Sequence, residues 1–510
     1  LKSEGDFMLY YFFVSTIIHL IIALLFTIFI IKEKRMPERT LAWIFAVYSF
    51  PVIGICCYFL IGRFWSYEEK DRQDNKYQKK VNQITDTPQG LALRCTDEDS
   101  QLEASCLGSS IRKLIRFNQS NAGAQLTQEN QVELFHKAAP FFTALWEKID
   151  KAMYQIHVLF YTIEGDYVGR SLLDLLKKKA EQGCEVRVIV DDIGSKTFPD
   201  AWADELRQAG GQFYRFSPRK HLRTFIRLNY RNHRKIVVID HAIGFFGGCN
   251  IGKEYVGEDP KLGFWRDTHI QVTGEAACEL QKIFIKDWKM VSGLTINMSN
   301  SEVATSSAQT KQHDEQMGKS TVEPTDEHEN KHLIQVIETD PRERWEPIRQ
   351  TFLQMIMRAE KSVKITSPYF IPDEVLLVAL CTIAQAGVEV TLILPGIPDS
   401  KLVYYASQSF LDELRKAGVS IYLYDKGFLH AKVLLVDDNQ ALVGTSNWDF
   451  RSFYLNFEVN ALFYGRSRFI QELTAQFEQD ISNSKVSNEE PKTISRKYIE
   501  SVARLFSPLL

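Results

Sequence analysis

The chain has 510 residues, 45% of them hydrophobic and 25% charged, and a formal net charge of −3. That length exceeds one ordinary domain and suits two catalytic-sized units plus an extra segment, and the composition is that of a chain able to bury a core. The near-neutral balance excludes a global electrostatic pull toward nucleic acid or anionic membrane, so any such attraction has to be local.

In chain order, the first signal is a pair of apolar runs, 8–31 and 41–61, neither carrying an Asp, Glu, Lys or Arg. A helix needs about 20 apolar residues to cross the hydrocarbon core, so residues 1–65 are predicted to form a two-helix transmembrane hairpin. A cleaved signal peptide plus one buried helix is the alternative, but the first run is longer than a signal core of about 7–15 residues. A hairpin puts Lys2, Arg63, Lys70, Arg72, Lys76, Lys79 and Lys80 on one side, against Lys32, Lys34, Arg35 and Arg39 in the loop. The positive-inside bias then favours a cell membrane, multi-pass placement with cytoplasmic catalytic domains. The eight cysteines form no C-x-x-C pair and are read as reduced thiols.

A polar connector follows over 66–110. Two stretches, 111–298 and 333–510, then repeat one order of signals: "QIHVLFYTI", a helical stretch, "CEVRVIVDD", "GGQFYRF" and "HRKIVVID", against "SVKITSPYFIPD", a helical stretch, "VEVTLILPG", "GVSIYLY" and "HAKVLLVDD". Short β-branched runs alternating with helical patterns predict an α/β fold with largely buried sheets. Between them, 299–332 is rich in Ser, Thr, Gln, Glu and Lys and is read as a flexible linker. The expected architecture is two duplicated α/β domains related by a pseudo-two-fold, with the hairpin in front and a site shared between the halves.

The repeat centres on H-x-K-x4-D-x6-G-x2-N. It occurs as His233, Lys235, Asp240, Gly247 and Asn250, and again 197 residues later as His430, Lys432, Asp437, Gly444 and Asn447. Two five-position matches in register are not a chance event. Histidine and lysine, two apart in an extended segment, project to one face. The aspartate has the opposite parity and suits bracing a turn. The glycine permits close approach, and the asparagine amide can donate to an anion. Two histidines, two lysines and two asparagines around one pocket suit a phosphodiester and its charged transition state.

This pattern is identified as the HKD signature of the phospholipase D superfamily. With the hairpin, "SPYFIPD", "FLHAK", "GTSNWDFRSFYLNFEVN" and "ARLFSPLL", the chain resembles bacterial cardiolipin synthases over nearly its whole length outside the linker. Trp448, where that family often has methionine, and His241, where it usually has glycine, are departures expected to tune packing. The resemblance implies two phospholipase D-like α/β domains that transfer a phosphatidyl group between two phosphatidylglycerol molecules, giving cardiolipin and glycerol through a phosphatidyl-histidine. His233, Lys235, Asp240, His430, Lys432 and Asp437 would be the catalytic signature, with His233 the nucleophile and His430 the general acid and base. Asn250 and Asn447 would bind phosphate. Asp267 and Glu458, some thirty residues past their motif histidines, would orient the rings. One histidine has to be neutral and the other protonated, so their pKa values are expected to be pushed apart. As alternatives, a phospholipase D-type hydrolase or a phosphatidylserine synthase uses the same signature; a nuclease or a membrane scaffold fits the hairpin or the intact motifs less well.

No metal, nucleotide or other cofactor motif is present in the sequence. The implied partners are phosphatidylglycerol and cardiolipin in the membrane, without nucleic acid or nucleotide, and oligomeric state is not legible. Arg215, Arg219, Arg223, Arg227 and Arg231 fall four apart, which allows either a basic amphipathic helix on anionic headgroups or a solvated face. His19, His136, His157 and His269 are read as structural.

Overall fold

A computed structural model of the chain describes residues 2–32, 37–58, 107–217, 230–296, 331–342, 345–488 and 492–510. Most of the connector and linker, and the arginine segment between 218 and 229, lie outside them. The described residues divide into two compact units, one holding the first helices and the other both sheets.

In the first unit a helix covers Lys2–Lys32, and its stretch Tyr10–Lys32 is long and apolar enough to cross a membrane. At 1.5 Å per residue those 23 residues reach roughly 34 Å, about the hydrocarbon thickness. The second apolar run differs from expectation, because it is not one helix. It is broken into Pro37–Ser49 and Pro51–Cys57 with Phe50 outside helical geometry between them, φ −141° and ψ 77°. Pro51 is the cause: it has no N–H to give the preceding turn, and its ring disfavours helical geometry at Phe50. The pieces still fold back on the first helix, burying Ala23, Ile30, Val47 and Tyr58 together. Tyr58 sets its ring edgewise to Phe26 and Trp43, at 5.2 and 5.3 Å, and His19 Nε2 lies 3.1 Å from the Tyr48 carbonyl.

The second unit carries the duplication as topology. One sheet runs Asn130–Phe135, His269–Gly274, Ile243–Gly247, Ile236–Ile239, Gln155–Phe160, Glu185–Asp191, Gln212–Phe216. The other repeats that order as Leu333–Thr339, Asn456–Tyr464, Gln440–Gly444, Val433–Val436, Ser362–Thr366, Glu389–Pro395, Ser420–Tyr424, and adds Leu126–Thr127 and Ser484–Val486 at its edges. In each, the last three of the seven shared strands are parallel and the first four antiparallel. Parallel strands need crossover helices, here Tyr167–Glu181 and Glu374–Gln385 among others. Asp166 and Asp373 cap these two by accepting from backbone N–H groups of the first turn. The central strands are buried on both faces, which accounts for their unbroken apolar runs.

The halves exchange material. Helix Ser109–Ala122, at the start of the stretch expected to form the first domain, sends Ile111, Leu114 and Ile115 into the second half's core, and Leu126–Thr127 pairs with Leu333–Thr339. In return Phe428 is buried in the first half's core. An amphipathic pattern tells that a face is covered but not by which partner. The six cysteines in the described residues are free thiols.

Candidate active site

Each motif histidine follows a two-residue strand that pairs across the halves. Arg231–Asn232 runs parallel to the start of Asn456–Tyr464, and Phe428–Leu429 runs parallel to Trp265–Arg266. Extending both ladders by one residue sets His233 beside Glu458 and His430 beside Asp267. His233 donates its backbone N–H to the Phe457 carbonyl at 3.0 Å, and His430 to that of Arg266 at 2.7 Å.

The side chains complete this crossed arrangement. Nδ1 of His233 lies 3.0 Å from both carboxylate oxygens of Glu458. Nδ1 of His430 lies 2.7 Å from Oδ2 of Asp267. Glu458 is buried and also accepts from Thr445 Oγ1 at 2.5 Å and Asn456 Nδ2 at 3.1 Å. Asp267 accepts from the Thr268 N–H at 2.8 Å and Trp265 Nε1 at 3.3 Å. Burial raises the Asp267 pKa, but the neighbouring His430 and Lys432 outweigh it and hold the group at about 2. Glu458 is likewise lowered, burial being overcome by His233 and Lys235. Ionised carboxylates fix the Nδ1–H tautomer, and no described residue bonds either Nε2.

Lys235 and Lys432 are buried, and each donates to the carbonyl of its own motif histidine, at 2.8 and 2.5 Å. Burial lowers Lys235 to about 7 against the pull of Glu458, with Lys432 adding repulsion. Burial lowers Lys432 to about 8, moderated by Asp267 and Glu458. The mutual influence of Lys235, Lys432, Asp267 and Glu458 marks one shared site. Both histidines are depressed to about 4, burial first in each case and the lysines adding to it. The expected separation of the two values is therefore absent from the free site, because the halves impose the same burial and the same lysine charge on both rings.

The remaining motif positions divide by location. Asp240 and Asp437 sit in left-handed turn conformations, φ 49° and 53°, away from the pocket. Each carboxylate accepts three backbone N–H bonds at the start of a neighbouring strand: Met153, Tyr154 and Gln155 at 2.8–2.9 Å, and Glu360, Lys361 and Ser362 at 2.7–3.0 Å. This geometry is that of a brace, not of a group touching reacting atoms. Gly247 and Gly444 are needed for close approach. A Cβ at Gly247 would lie 2.6 Å from the Thr268 carbonyl oxygen, and one at Gly444 would lie 2.3 Å from that of Val459. Both contacts are next to the orienting carboxylates. Asn250 donates to Tyr255 at 2.9 Å and Asn447 to Asp449 at 3.1 Å. Each amide thus has one N–H engaged by a neighbour and one that no described residue accepts.

His241, at φ 59°, occupies the turn position where glycine is easiest, and Gln155 anchors its ring at 2.9 Å. Trp448 is buried and stacks on Phe352 and Phe370. His157 bonds Gln281 and Arg187, and His269 stacks on Phe141 while burial, with Asp267 opposing it and Lys235 adding to it, lowers its pKa to about 3. Arg215 lies in a strand, bonded to Asp200 and the Phe198 carbonyl. Sequence reasoning missed Tyr161, whose ring meets His233 edgewise at 4.9 Å and lies 5.3 Å from Lys235 Nζ. The available signal was an aromatic just past the central strand in both halves, Tyr161 and Tyr369. Among the described residues no group of three or more His, Cys, Asp or Glu is arranged to hold a metal ion.

Comparison with known proteins adds a second line. The family described as "Cardiolipin synthase, PLD-like domain" matches residues 145–288 and 352–481, and "Phospholipase_D-nuclease N-terminal" matches 20–63. The chain is 36% identical to the cardiolipin synthase of Geobacillus sp. (strain WCH70), covering 96% of this chain and 92% of that protein. It is also 36% identical to the major cardiolipin synthase ClsA of Bacillus subtilis (strain 168), covering 96% and 97%. Among solved structures, phosphatidylserine synthase of Haemophilus influenzae Rd KW20 superposes with a TM-score of 0.58 at 17% identity, over 78% of this chain and 100% of that one. That likeness speaks for the fold alone.

Proposed function

This chain belongs to the cardiolipin synthase family of phospholipase D-like enzymes, and from that premise we propose how its two halves transfer a phosphatidyl group. The donor is a phosphatidylglycerol whose phosphodiester lies between the two Nε2 atoms, its anionic oxygens met by Lys235, Lys432 and the spare N–H groups of Asn250 and Asn447. Nε2 of His233 attacks phosphorus, and the bond from phosphorus to the glycerol headgroup oxygen breaks. The Nε2–H of His430 supplies the proton to that oxygen, and glycerol leaves. A hydroxyl of a second phosphatidylglycerol then gives its proton to His430 and attacks the phosphatidyl-His233. Cardiolipin forms and the ring is released.

The observation that carries this reading is the crossed pair of histidine–carboxylate contacts, His233–Glu458 and His430–Asp267, with neither Nε2 bonded by a described residue. Both rings are neutral near pH 7 in the free site. Entry of the anionic diester raises their pKa values, and this loads His430 with the proton it has to donate. The N-terminal apolar segments form a membrane hairpin in this reading, with the two α/β halves on the cytoplasmic side.

The test is to supply the purified protein with phosphatidylglycerol alone in mixed micelles and identify the products. Cardiolipin with free glycerol supports transfer. Phosphatidic acid would make the enzyme a hydrolase. Turnover only with a nucleotide-activated lipid and serine would make it a phosphatidylserine synthase, and no turnover a scaffold.

A further inference from the structure

The helix Ile494–Leu505 has an apolar side that no described residue covers. Ile494, Tyr498 and Leu505 are 89%, 71% and 77% exposed, and Val502, Ile499 and the following Phe506 are exposed too. Positions i, i+4, i+8 and i+11 share one side of a helix, so these are a continuous stripe and not scattered surface residues. The opposite side, through Ala503 and Glu500, packs on the helix Lys401–Lys416, where Lys492 and Arg496 hold the Glu500 carboxylate. A soluble helix would be polar on the free side.

We propose that this stripe is a docking surface for an anionic phospholipid bilayer, lying in its interface. Three observations select the bilayer. The chain carries a helix of membrane-spanning length, so the second unit operates at a lipid surface. Lys497 lies beside the stripe on the same helix, where acidic headgroups would meet it, whereas Arg504 packs back over Phe410 of the supporting helix. The helix is also joined to the scaffold of the site. The turn after it, Ser507–Leu509, packs on Phe450–Tyr454, which follows Asn447 and Asp449, and the Leu510 carbonyl accepts from the Arg451 N–H at 3.1 Å. The supporting helix Lys401–Lys416 contributes Val403, Tyr404 and Ser407 to a cleft shared with Phe428, two residues before His430. Seating the stripe in the interface brings the second half of the site to the lipid. The proposal rests on the reading of the substrate as a membrane lipid, but its test reads contact and not turnover.

Full-length protein carrying p-benzoylphenylalanine at position 498, 505 or 468 is reconstituted in vesicles of phosphatidylcholine and phosphatidylglycerol and irradiated. Arg468 is an exposed polar control, its side chain 74% accessible. Lipid adducts at 498 and 505 but not at 468, increasing with the phosphatidylglycerol fraction, are expected. A cross-link to a second copy of the chain, or no lipid adduct, overturns the proposal. As a second measurement, Tyr498→Glu with Leu505→Glu is expected to raise several-fold the KM for phosphatidylglycerol as a surface fraction in vesicles. The same variant is expected to leave kcat on a short-chain, monomeric phosphatidylglycerol unchanged. Equal loss on both substrates also overturns it.

Discussion

Asp267 of the first half holds Nδ1 of His430 in the second at 2.7 Å, and Glu458 of the second half holds Nδ1 of His233 in the first at 3.0 Å. The exchange follows from the short cross-half ladders, Arg231–Asn232 on Asn456–Tyr464 and Phe428–Leu429 on Trp265–Arg266. Neither half contains a finished histidine. Assembly of the two halves and assembly of the site are therefore one event.

The crossing makes a prediction about coupling. Asp267→Asn removes an anion and lets the amide favour the wrong tautomer, so the cardiolipin formation rate should fall by about 10²–10⁴. In a His430→Ala background, where His233 still loads slowly, the same change should cost nothing further, whereas Glu458→Gln should slow that loading again. Double-mutant cycles on the rate with labelled lipid measure this. Coupling of Asp267 to His233 instead of His430 would refute the crossed pairing.

Acid and alkaline limits should both appear in kcat/KM measured in neutral detergent micelles. Below about 4 both rings are protonated and the nucleophile is lost. As pH rises through about 7 and then about 8, Lys235 and Lys432 lose their protons and the phosphate loses its counter-charges. Activity on the free enzyme should decline over that upper range. Lys235→Arg should remove the lower of the two alkaline steps, since a guanidinium stays charged. A profile flat through about pH 9 would contradict the lysine assignment.

Stability should depend on pH through other histidines. Burial lowers His136, His157 and His269 from 6.5 to about 3. The unfolded chain therefore binds protons between those values that the folded chain does not, and stability falls as pH drops through that window. Above about 6.5 this contribution is complete. Urea unfolding followed from pH 7 to pH 4 should show a falling midpoint, with a shallower slope in His157→Gln. No pH dependence there would show that these rings are protonated in the fold.

Asp240 should behave as a structural residue despite its place in the motif. Its carboxylate accepts from Met153, Tyr154 and Gln155 N–H groups. Asp240→Ala should lower stability by about 1–3 kcal/mol while the folded fraction keeps a kcat within a few-fold of the parent. A loss of kcat as large as that of Asp267→Asn, without a change in unfolding midpoint, would place Asp240 in the chemistry.

Much of this was legible in the residues because duplication doubles every signal. His233 and His430 recur with their lysines at one spacing, and parity alone separated Asp240 and Asp437 from the reacting side. Pro51 is visible too, but absence of charge and length alone predict one spanning helix over 41–61, and the break at Phe50 comes from the proline they ignore. What the pattern could not carry was partnership. Glu458 and Asp267 stand near their own motifs in sequence, and only the parallel pairing of four short segments sends each to the other half. The equal depression of both histidines was equally hidden, because burial depends on what the two halves cover together. For the same reason helix Ser109–Ala122 gave its period but not its destination in the second core.

The last prediction concerns which ring attacks. The geometry is close to symmetric: each ring has one carboxylate at Nδ1, one lysine on its own carbonyl and an Nε2 that no described residue bonds. The order of roles is therefore set when the donor enters. Assigning His233 as nucleophile gives an asymmetric expectation. His430→Ala lacks only the proton donor, so phosphatidylglycerol should still load slowly, with a rate loss of about 10²–10⁴, and leave a phosphatidyl adduct on His233. His233→Ala has no route to the covalent intermediate and should carry no adduct on either peptide. The enzyme is incubated with labelled lipid, quenched in base because phosphohistidine is acid-labile, and digested for peptide mapping. Label on the peptide holding His430 in the unmodified protein would reverse the two roles while leaving the crossed carboxylates to serve each ring as before.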